Sequence, residues 1–403
     1  MRYDSVIKGG NVVTPAGTFI GDVAVRGEQI VALGSELDGD GSRVIDARGH
    51  HVIPGVLDVH VHLELPFCGT VSADDYRSGT RAGARGGVTT VIDFAIPPAN
   101  GSLSEAADLW MKKAEGKSLI DYTFHICITR WNDHKDQIKG MVERGFTTFK
   151  EFMIYESEGW QSDDRALFGT LEKMKEYGTM LLVHAESSRV LDDSVFDRPD
   201  GHLYACCPQL KKPQDSERLW RGLRTGEVSV ISTDTCTFTR EQKAMWEGDW
   251  TKIPMGMPGL ETLMPLTYTH GVLTNRLTLE EMSAKLSTNP AKIMGLYPRK
   301  GAIQVGADAD IAIIHPTTRQ TVSPSTLETN ADWSPYDGWD LAGFARTTLS
   351  RGEVIVDNYK VVGREGRGRW LSRTSAGLHA SSSPSPASSP RPVRSAREPA
   401  VAV

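Results

Sequence analysis

The 403-residue sequence has few cysteines, no long apolar run and no excess of basic charge. Its five cysteines stand at irregular spacings, and a chain of this length buries a core without cross-links, so this usage favours a reducing compartment. No stretch approaches the about 20 apolar residues of a membrane span, and the first residues lack a signal peptide's apolar segment. The net charge of −6 gives no basic surface for nucleic acid. We therefore expect a cytoplasmic protein that binds neither nucleic acid nor membrane.

Both ends of the chain show short apolar runs separated by glycine turns, the pattern of β-strands. Residues 1–53 and 300–366 therefore predict one small β-sandwich domain made from the two ends, since the ends of a domain often lie close together. Residues 367–403 are rich in Ser, Pro and Arg and predict a disordered tail.

Residues 54–299 alternate between apolar runs and polar, Ala- and Glu-rich segments, which predicts an α/β fold with a parallel sheet. Polar residues at the ends of several runs favour a TIM-like (β/α) barrel, whose site lies at the carboxyl ends of its strands. Such a barrel needs eight strands, and the interval between His184 and Asp234 contains no good strand and helix unit. We therefore predict an incomplete barrel of about six strands: Gly55–His62, Thr89–Phe94, Tyr122–Ile128, Thr147–Phe152, Met180–His184 and Val228–Thr233.

The first of these runs ends in two histidines, His60 and His62. Residues i and i+2 of a strand face the same way, so both imidazoles project together, with Asp58 on the same face below them. Two converging imidazoles are a typical half of a zinc site. The plain alternative is a pair of histidines in a loop at the strand end.

Four further residues end or follow later runs, and each has an ordinary structural alternative. Lys150 either pairs with an acid such as the adjacent Glu151 or stays neutral and reacts with CO₂ to form a carbamate. His184 is either a packed strand-end histidine or a ligand. Asp234 either caps the next segment or binds a metal and moves protons. Tyr155 is either a loop tyrosine or a donor to an oxyanion.

Taken together, the motifs GVLDVHVHLELPFCGTVSADDY, FKEFMIY, LLVHAES, STDTCTF and IPMGMPGLETLMP resemble the amidohydrolase superfamily. The similarity lies in its cyclic amidohydrolase branch, the D-hydantoinases and dihydropyrimidinases. Dihydroorotase-like members carry an Arg two residues after the second His. This chain has Glu64 there, which has the wrong charge to hold a substrate carboxylate.

The resemblance implies a hydrolase that cleaves a C–N bond of a small cyclic amide (a hydantoin, a dihydropyrimidine or a related imide) through a metal-bound hydroxide. It implies two divalent ions, zinc being the expected metal, bridged by carbamylated Lys150. The first would bind His60, His62 and Asp234, and the second would bind His184. Asp234 would also carry protons, and Tyr155 would hold the oxyanion. A homotetramer is implied as well.

The sequence departs from this family in two places. The ligand that relatives place on their sixth strand has no counterpart; His202 lies in a segment that resembles the later substrate loop, so we do not assign it that role. At about 30 residues for each strand and helix unit, roughly two units are missing, with the join near residues 191–193. The substrate loop reads Cys207-Pro208-Gln209 instead of Ser-Pro-Pro. Two alternatives to an active hydrolase therefore remain: a non-catalytic relative with an assembly role, and an internally truncated, inactive enzyme.

Overall fold

The structure is a computed structural model that describes residues 2–186 and 200–374, except for the side chain of Trp250. The predicted join near residues 191–193 and the tail from residue 375 lie outside the described residues. Within them, no helix has the length and apolar character needed to cross a bilayer.

The described residues form strands and short helices in regular succession. The strands are β1 Ser5–Thr14, β2 Gly17–Arg26, β3 Gln29–Gly34, β4 Arg43–Asp46, β5 His51–Pro54, β6 Val56–His62, β7 Pro66–Phe67, β8 Thr70–Val71, β9 Val88–Ala95, β10 Asp121–Cys127, β11 Thr148–Phe152, β12 Met180–His184, β13 Thr235–Cys236, β14 Ile311–Ile314, β15 Arg319–Thr321, β16 Asp340–Ala342, β17 Ala345–Ser350, β18 Glu353–Asp357 and β19 Lys360–Val361. The α-helices are α1 Ser78–Arg85, α2 Leu103–Ala114, α3 Trp131–His134, α4 Ile138–Glu143, α5 Asp164–Tyr177, α6 Pro213–Thr225, α7 Arg240–Ala244, α8 Leu263–Thr267, α9 Leu279–Ser283 and α10 Asn289–Ile293.

The two ends of the chain form one mixed sheet, as the sequence predicted. Its order is β19-β18-β17-β14-β5-β1-β2-β3, and β4 pairs with β1. β14 runs antiparallel to β5, with Ile311 opposite Pro54, so a late strand completes a sheet that the first residues began. Apolar side chains such as Ile7, Val52 and Ile313 are buried between strands. The end of β5 leads directly into β6 and the parallel sheet.

The central sheet is parallel and has six strands in the order β12-β11-β10-β9-β6-β13. This confirms an α/β fold built on an incomplete barrel. α2 begins with a capping box between Ser102 and Glu105, and α5 begins at the Asp163 side chain, which accepts from the Ala166 amide. These caps fix the first residues of α2 and α5. Because α2 follows β9 and α5 follows β11, the caps also limit the length of the loops that leave the carboxyl ends of those strands.

The prediction of a strand at Val228–Thr233 is wrong. The strand on that side is β13, only two residues long, and it pairs with β6 through Thr235 and Val61. Residues 228–231 instead bond to Lys285, which lies between α9 and α10. The Lys285 ammonium donates to the Val228 carbonyl, and the Ile231 amide donates to the Lys285 carbonyl. Backbone groups of a β-strand pair with a neighbouring strand, and in the described part of the chain none of residues 228–231 pairs with one.

Within the described residues, β12 is an open edge of the sheet. Among the described residues it pairs only with β11, and the Val183 side chain on its outer face is 39% exposed. The predicted lack of two strands thus appears as a gap between β12 and β13.

The tail was predicted to begin at residue 367, and this boundary is too early. Leu371 and Arg373 are 1% and 2% exposed, and the Leu371 amide donates to the Tyr122 carbonyl on β10. The Trp370 indole packs against Phe146. Apolar side chains within this stretch cover the amino end of the parallel sheet, so these residues belong to the folded part of the chain.

Candidate functional site

Three predicted site residues converge at the carboxyl end of the parallel sheet. His60 and His62 end β6, and Asp234 immediately precedes β13, which pairs with that strand. One carboxylate oxygen, Oδ1 of Asp234, lies 3.1 Å from His60 Nε2 and 3.2 Å from His62 Nε2. The ligand atoms of the three residues all lie within 4.8 Å of one another. This is the spacing that a single cation needs from three protein ligands.

Buried groups below these residues hold them in place. Asp58, on the same face of β6, accepts from the Thr233 hydroxyl at 2.6 Å and from the Thr233 amide at 3.2 Å. Thr233 precedes Asp234, which adopts a positive φ of 52°. The ring of Phe94, at the end of β9, lies against both imidazoles, with centroids 4.3 Å from His60 and 4.9 Å from His62. The geometry of the three ligands is therefore fixed by residues from three strand ends.

The electrostatics of the site favour the forms that bind metals. Burial lowers the pKa of His60 to about 4, although the Asp234 carboxylate opposes this, so its ring is neutral near pH 7. Burial would raise the pKa of Asp234, but His60 and His62 more than offset it and hold the value well below its usual range. The Asp234 side chain is also open to the cavity, with 39% of its surface accessible. A neutral imidazole beside an ionised carboxylate is a ligand set ready for a cation.

Lys150 is buried in the middle of β11, with only 3% of its surface exposed. Glu151 is not its partner, because that carboxylate points to the other face of the strand and accepts from the Thr170 hydroxyl at 3.0 Å. No carboxylate of the described residues forms an ion pair with Lys150; its Nζ lies 5.1 Å from the Phe94 ring centroid and 5.2 Å from that of Phe152. Burial lowers the pKa of this amine, and the nearby Asp234 only partly opposes the shift. Burial thus weakens the preference of this amine for its charged form.

His184 and Tyr155 occupy the other side of the same cavity. His184 ends β12, and its Nε2 lies 2.8 Å from Oε2 of Glu186. The Tyr155 ring stands edge-on to the His184 ring with centroids 5.2 Å apart, and Tyr155 adopts a positive φ of 71°. Burial raises the pKa of the Tyr155 phenol well above its ordinary value, so the hydroxyl remains a hydrogen-bond donor.

All the predicted site residues line one cavity of about 410 Å³. Its walls are largely apolar and aromatic, and Phe67, Phe152 and Trp160 pack on one another there. The substrate loop predicted from sequence, Cys207-Pro208-Gln209, also lines it. A cavity of this size, with an aromatic wall on one side and the predicted site residues on the other, suits a small ring compound with polar groups.

Two residues considered in the sequence analysis lie outside the cavity lining. His202 stacks on Trp246 with centroids 6.0 Å apart and does not line the cavity. Glu64 turns away from the site, since its carboxylate accepts from Lys117 Nζ at 2.8 Å. Sequence reasoning assigned no role to Phe94, Thr233 or Glu186. Their positions at or next to strand ends were the signal that could have identified them.

The residues present fit the metals that the sequence resemblance implies, more completely at the first site than at the second. The first has three converging ligands, and His62 Nδ1 is a buried nitrogen without a partner among the described residues. The second has Lys150 and His184 in the same cavity. In the part of the chain that the structure describes, only His60, His62 and Asp234 form a group of three potential metal-binding side chains of the His, Cys, Asp and Glu types.

Two amidohydrolase family models match this chain, over residues 51–195 and 253–356. The chain is 32% identical to a D-hydantoinase of Geobacillus stearothermophilus, over 92% of its own length and 97% of that protein. It is 30% identical to a dihydropyrimidinase of Dictyostelium discoideum, over 91% of its own length and 90% of that protein.

These alignments also show the missing segment. The first spans 457 positions, whereas 92% of 403 residues is about 371, so about 86 positions of the relative face a gap in this chain. Coverage reaches almost the whole relative, so much of the gap is internal. This agrees with the absence of two strands between β12 and β13 in the described residues.

Solved structures give the same relationship. The crystal structure of a dihydropyrimidinase from Brevibacillus agri superposes with a TM-score of 0.89 at 32% identity, covering 92% of this chain and 99% of that one. A D-hydantoinase from a Bacillus species superposes with a TM-score of 0.88 at 34% identity, with the same coverage. This chain therefore belongs to the amidohydrolase family, among the D-hydantoinases and dihydropyrimidinases.

Proposed function

We propose that this chain hydrolyses a C–N bond of a small cyclic amide, a hydantoin, a dihydropyrimidine or a related imide. The observation that carries the proposal is the convergence of His60, His62 and Asp234 in a cavity that Lys150 also lines, with no carboxylate of the described residues in an ion pair with that lysine. The relatives named D-hydantoinase and dihydropyrimidinase support the substrate class.

Two divalent cations, zinc being our expectation, would be held by His60, His62 and Asp234 and by Lys150 and His184. Bound there, they would supply a nucleophilic oxygen at neutral pH and polarise the ring carbonyl. Lys150 would contribute as a carbamate: its neutral amine attacks CO₂, a C–N bond forms, and one proton leaves to solvent. Burial lowers the pKa of the amine, which favours this step by raising the share of the neutral form.

Asp234 is the proposed proton carrier. Its ionised carboxylate faces the cavity and can accept a proton from the attacking water and deliver it to the departing ring nitrogen. Tyr155, which keeps its phenolic proton, would donate to the carbonyl oxygen as that oxygen becomes negative. The walls formed by Phe67, Phe152 and Trp160 would exclude bulk water from the ring.

The open side of the sheet favours a second candidate, a non-catalytic relative that keeps the fold for assembly. β12 has no neighbour on one side within the described residues, and one expected ligand of the second cation has no counterpart. An internally truncated, inactive enzyme would have the same features. Sequencing the transcript across residues 191–193 distinguishes a natural deletion from an error.

We also propose a homotetrameric assembly, by similarity to the family, and a cytoplasmic location. All five cysteines are unpaired, which fits a reducing compartment.

Hydrolysis of hydantoin and dihydrouracil tests the proposed activity. The full chain, supplied with zinc and bicarbonate, should show ring opening, and Lys150→Ala should abolish it. Lys139→Ala is the matched control, because that lysine is 69% exposed on α4. A protein that binds no divalent metal and gains no activity from metal and bicarbonate would contradict the proposal.

A further inference from the structure

His184 and Glu186 form a short-range contact at the carboxyl end of β12. His184 is the last residue of β12, and Glu186 follows it two positions later. His184 Nε2 and Glu186 Oε2 are 2.8 Å apart, and the two side chains are only 8% and 11% exposed. Water therefore competes little with this hydrogen bond, and the imidazole is held by it.

The contact determines which nitrogen of His184 is available. An ionised carboxylate has no hydrogen to donate, so the hydrogen of the shared bond lies on Nε2. In the neutral ring, Nδ1 then carries the lone pair. Nδ1 is thus the nitrogen with which His184 can bind a cation in the cavity that both it and Lys150 line.

The open edge makes this contact more important than it would be in a closed sheet. β12 has a strand neighbour only on the β11 side, among the described residues. The His184 ring contacts Tyr155 at 5.2 Å and Phe152 at 6.4 Å between centroids. Both of those aromatic residues lie on or after β11, so Glu186 is the polar partner that fixes the ring.

We propose that Glu186 is a positioning residue, which holds His184 in the tautomer and orientation with which Nδ1 binds the second divalent cation. This rests on the proposed function. A carboxylate behind a ligating imidazole also strengthens it as a ligand, and removing such a partner typically lowers metal affinity by about 10- to 100-fold. At a site that has lost a neighbouring ligand, this support decides whether the cation stays bound.

Zinc titration of the full chain in bicarbonate, against a competing chelator, tests the proposal. Wild-type protein should bind two equivalents. Glu186→Ala should weaken the second by about 10- to 100-fold and leave the first unchanged. Glu186→Gln, which keeps an acceptor but loses the charge, should lie between them. Glu172→Ala, at an exposed position on α5, is the matched control.

Nitrogen-15 NMR of the histidine rings in metal-free protein gives a readout that involves no activity. Wild-type His184 should show a protonated Nε2, and Glu186→Ala should lose that preference. If this variant does not fold, the comparison passes to Glu186→Gln. A wild-type ring protonated on Nδ1, a single zinc equivalent in wild type, or unchanged second-site affinity in both variants would overturn the inference. Two tightly bound equivalents without hydrolysis would instead refute the proposed function and leave the role of Glu186 supported.

Discussion

The Thr233 hydroxyl donates a 2.6 Å hydrogen bond to Oδ2 of Asp58, and this bond joins the segment before Asp234 to the strand that carries His60 and His62. Asp58 is fully buried, and burial raises its pKa to about 7 although the Thr233 hydrogen bonds oppose the shift. The positions of the three converging ligands thus depend on a residue that touches none of the reacting groups.

Thr233→Val should lower both stability and activity. At pH 8 the buried carboxylate of Asp58 loses a donor, which typically costs about 1–3 kcal/mol in the free energy of unfolding. Urea unfolding measures this loss, and zinc affinity reports the displaced Asp234. Thr233→Ser keeps the hydroxyl and should behave like wild type. Equal losses in the Ser and Val variants would show that the hydrogen bond is not the cause.

Glu151→Gln should stabilise the protein more at pH 8 than at pH 5. Burial raises the pKa of Glu151 from its ordinary 4.5 to about 7, against the opposing hydrogen bond from Thr170. Because the pKa is higher in the folded state than in the unfolded state, Glu151 contributes most to the free energy of unfolding below about pH 4.5. That contribution is lost as the pH rises to about 7. The difference amounts to up to about 3 kcal/mol.

Chemical unfolding of Glu151→Gln and wild type at the two pH values measures this difference. Glu143→Gln, at a position 68% exposed, should show no such pH dependence. An identical effect of Glu151→Gln at both pH values would mean that burial of the charged carboxylate does not destabilise the fold.

Lys300→Met should destabilise the fold strongly. Lys300 is fully buried, and its ammonium lies 2.6 Å from Asp121, 3.0 Å from Asp308 and 2.7 Å from Asp310. Asp121 begins β10 of the parallel sheet, and the other two acids precede β14 of the mixed sheet. Removing the cation leaves buried carboxylates with fewer partners, a change that typically costs about 3–5 kcal/mol.

The control for this variant is Lys252→Met. Lys252 lies 3.4 Å from Asp249 in a surface pair, its side chain is 67% exposed, and such pairs contribute about 0–1 kcal/mol. Thermal unfolding should therefore separate the two variants clearly. Similar melting temperatures would argue against a structural role for the buried cluster.

Val183→Lys should reduce self-association of the chain. Val183 lies on the open edge strand β12 and is 39% exposed, and open edges offer unpaired backbone groups to other chains. A charged side chain there discourages edge-to-edge pairing. Sedimentation velocity over a range of concentrations should show less of any species larger than the native oligomer. Leu109→Lys, at an equally exposed site on α2, serves as the control.

The sequence by itself determined the class of fold and predicted the residues of the candidate site. His60, His62, Lys150 and His184 end apolar runs, and side-chain alternation along a strand makes such residues face the site together. The missing interval was also readable, because too few strands remained between His184 and Asp234 to close a barrel.

Only the tertiary structure decided the rest. The run Val228–Thr233 has strand composition, but the Val228 carbonyl and the Ile231 amide bond to Lys285, and the strand on that side of β6 is only the two residues of β13. Whether Lys150 pairs with Glu151 depended on which face each side chain occupies and on Thr170, which is 19 residues away in sequence from Glu151. The support that Asp58 receives from Thr233 joins residues 175 positions apart, and no local pattern encodes such a contact.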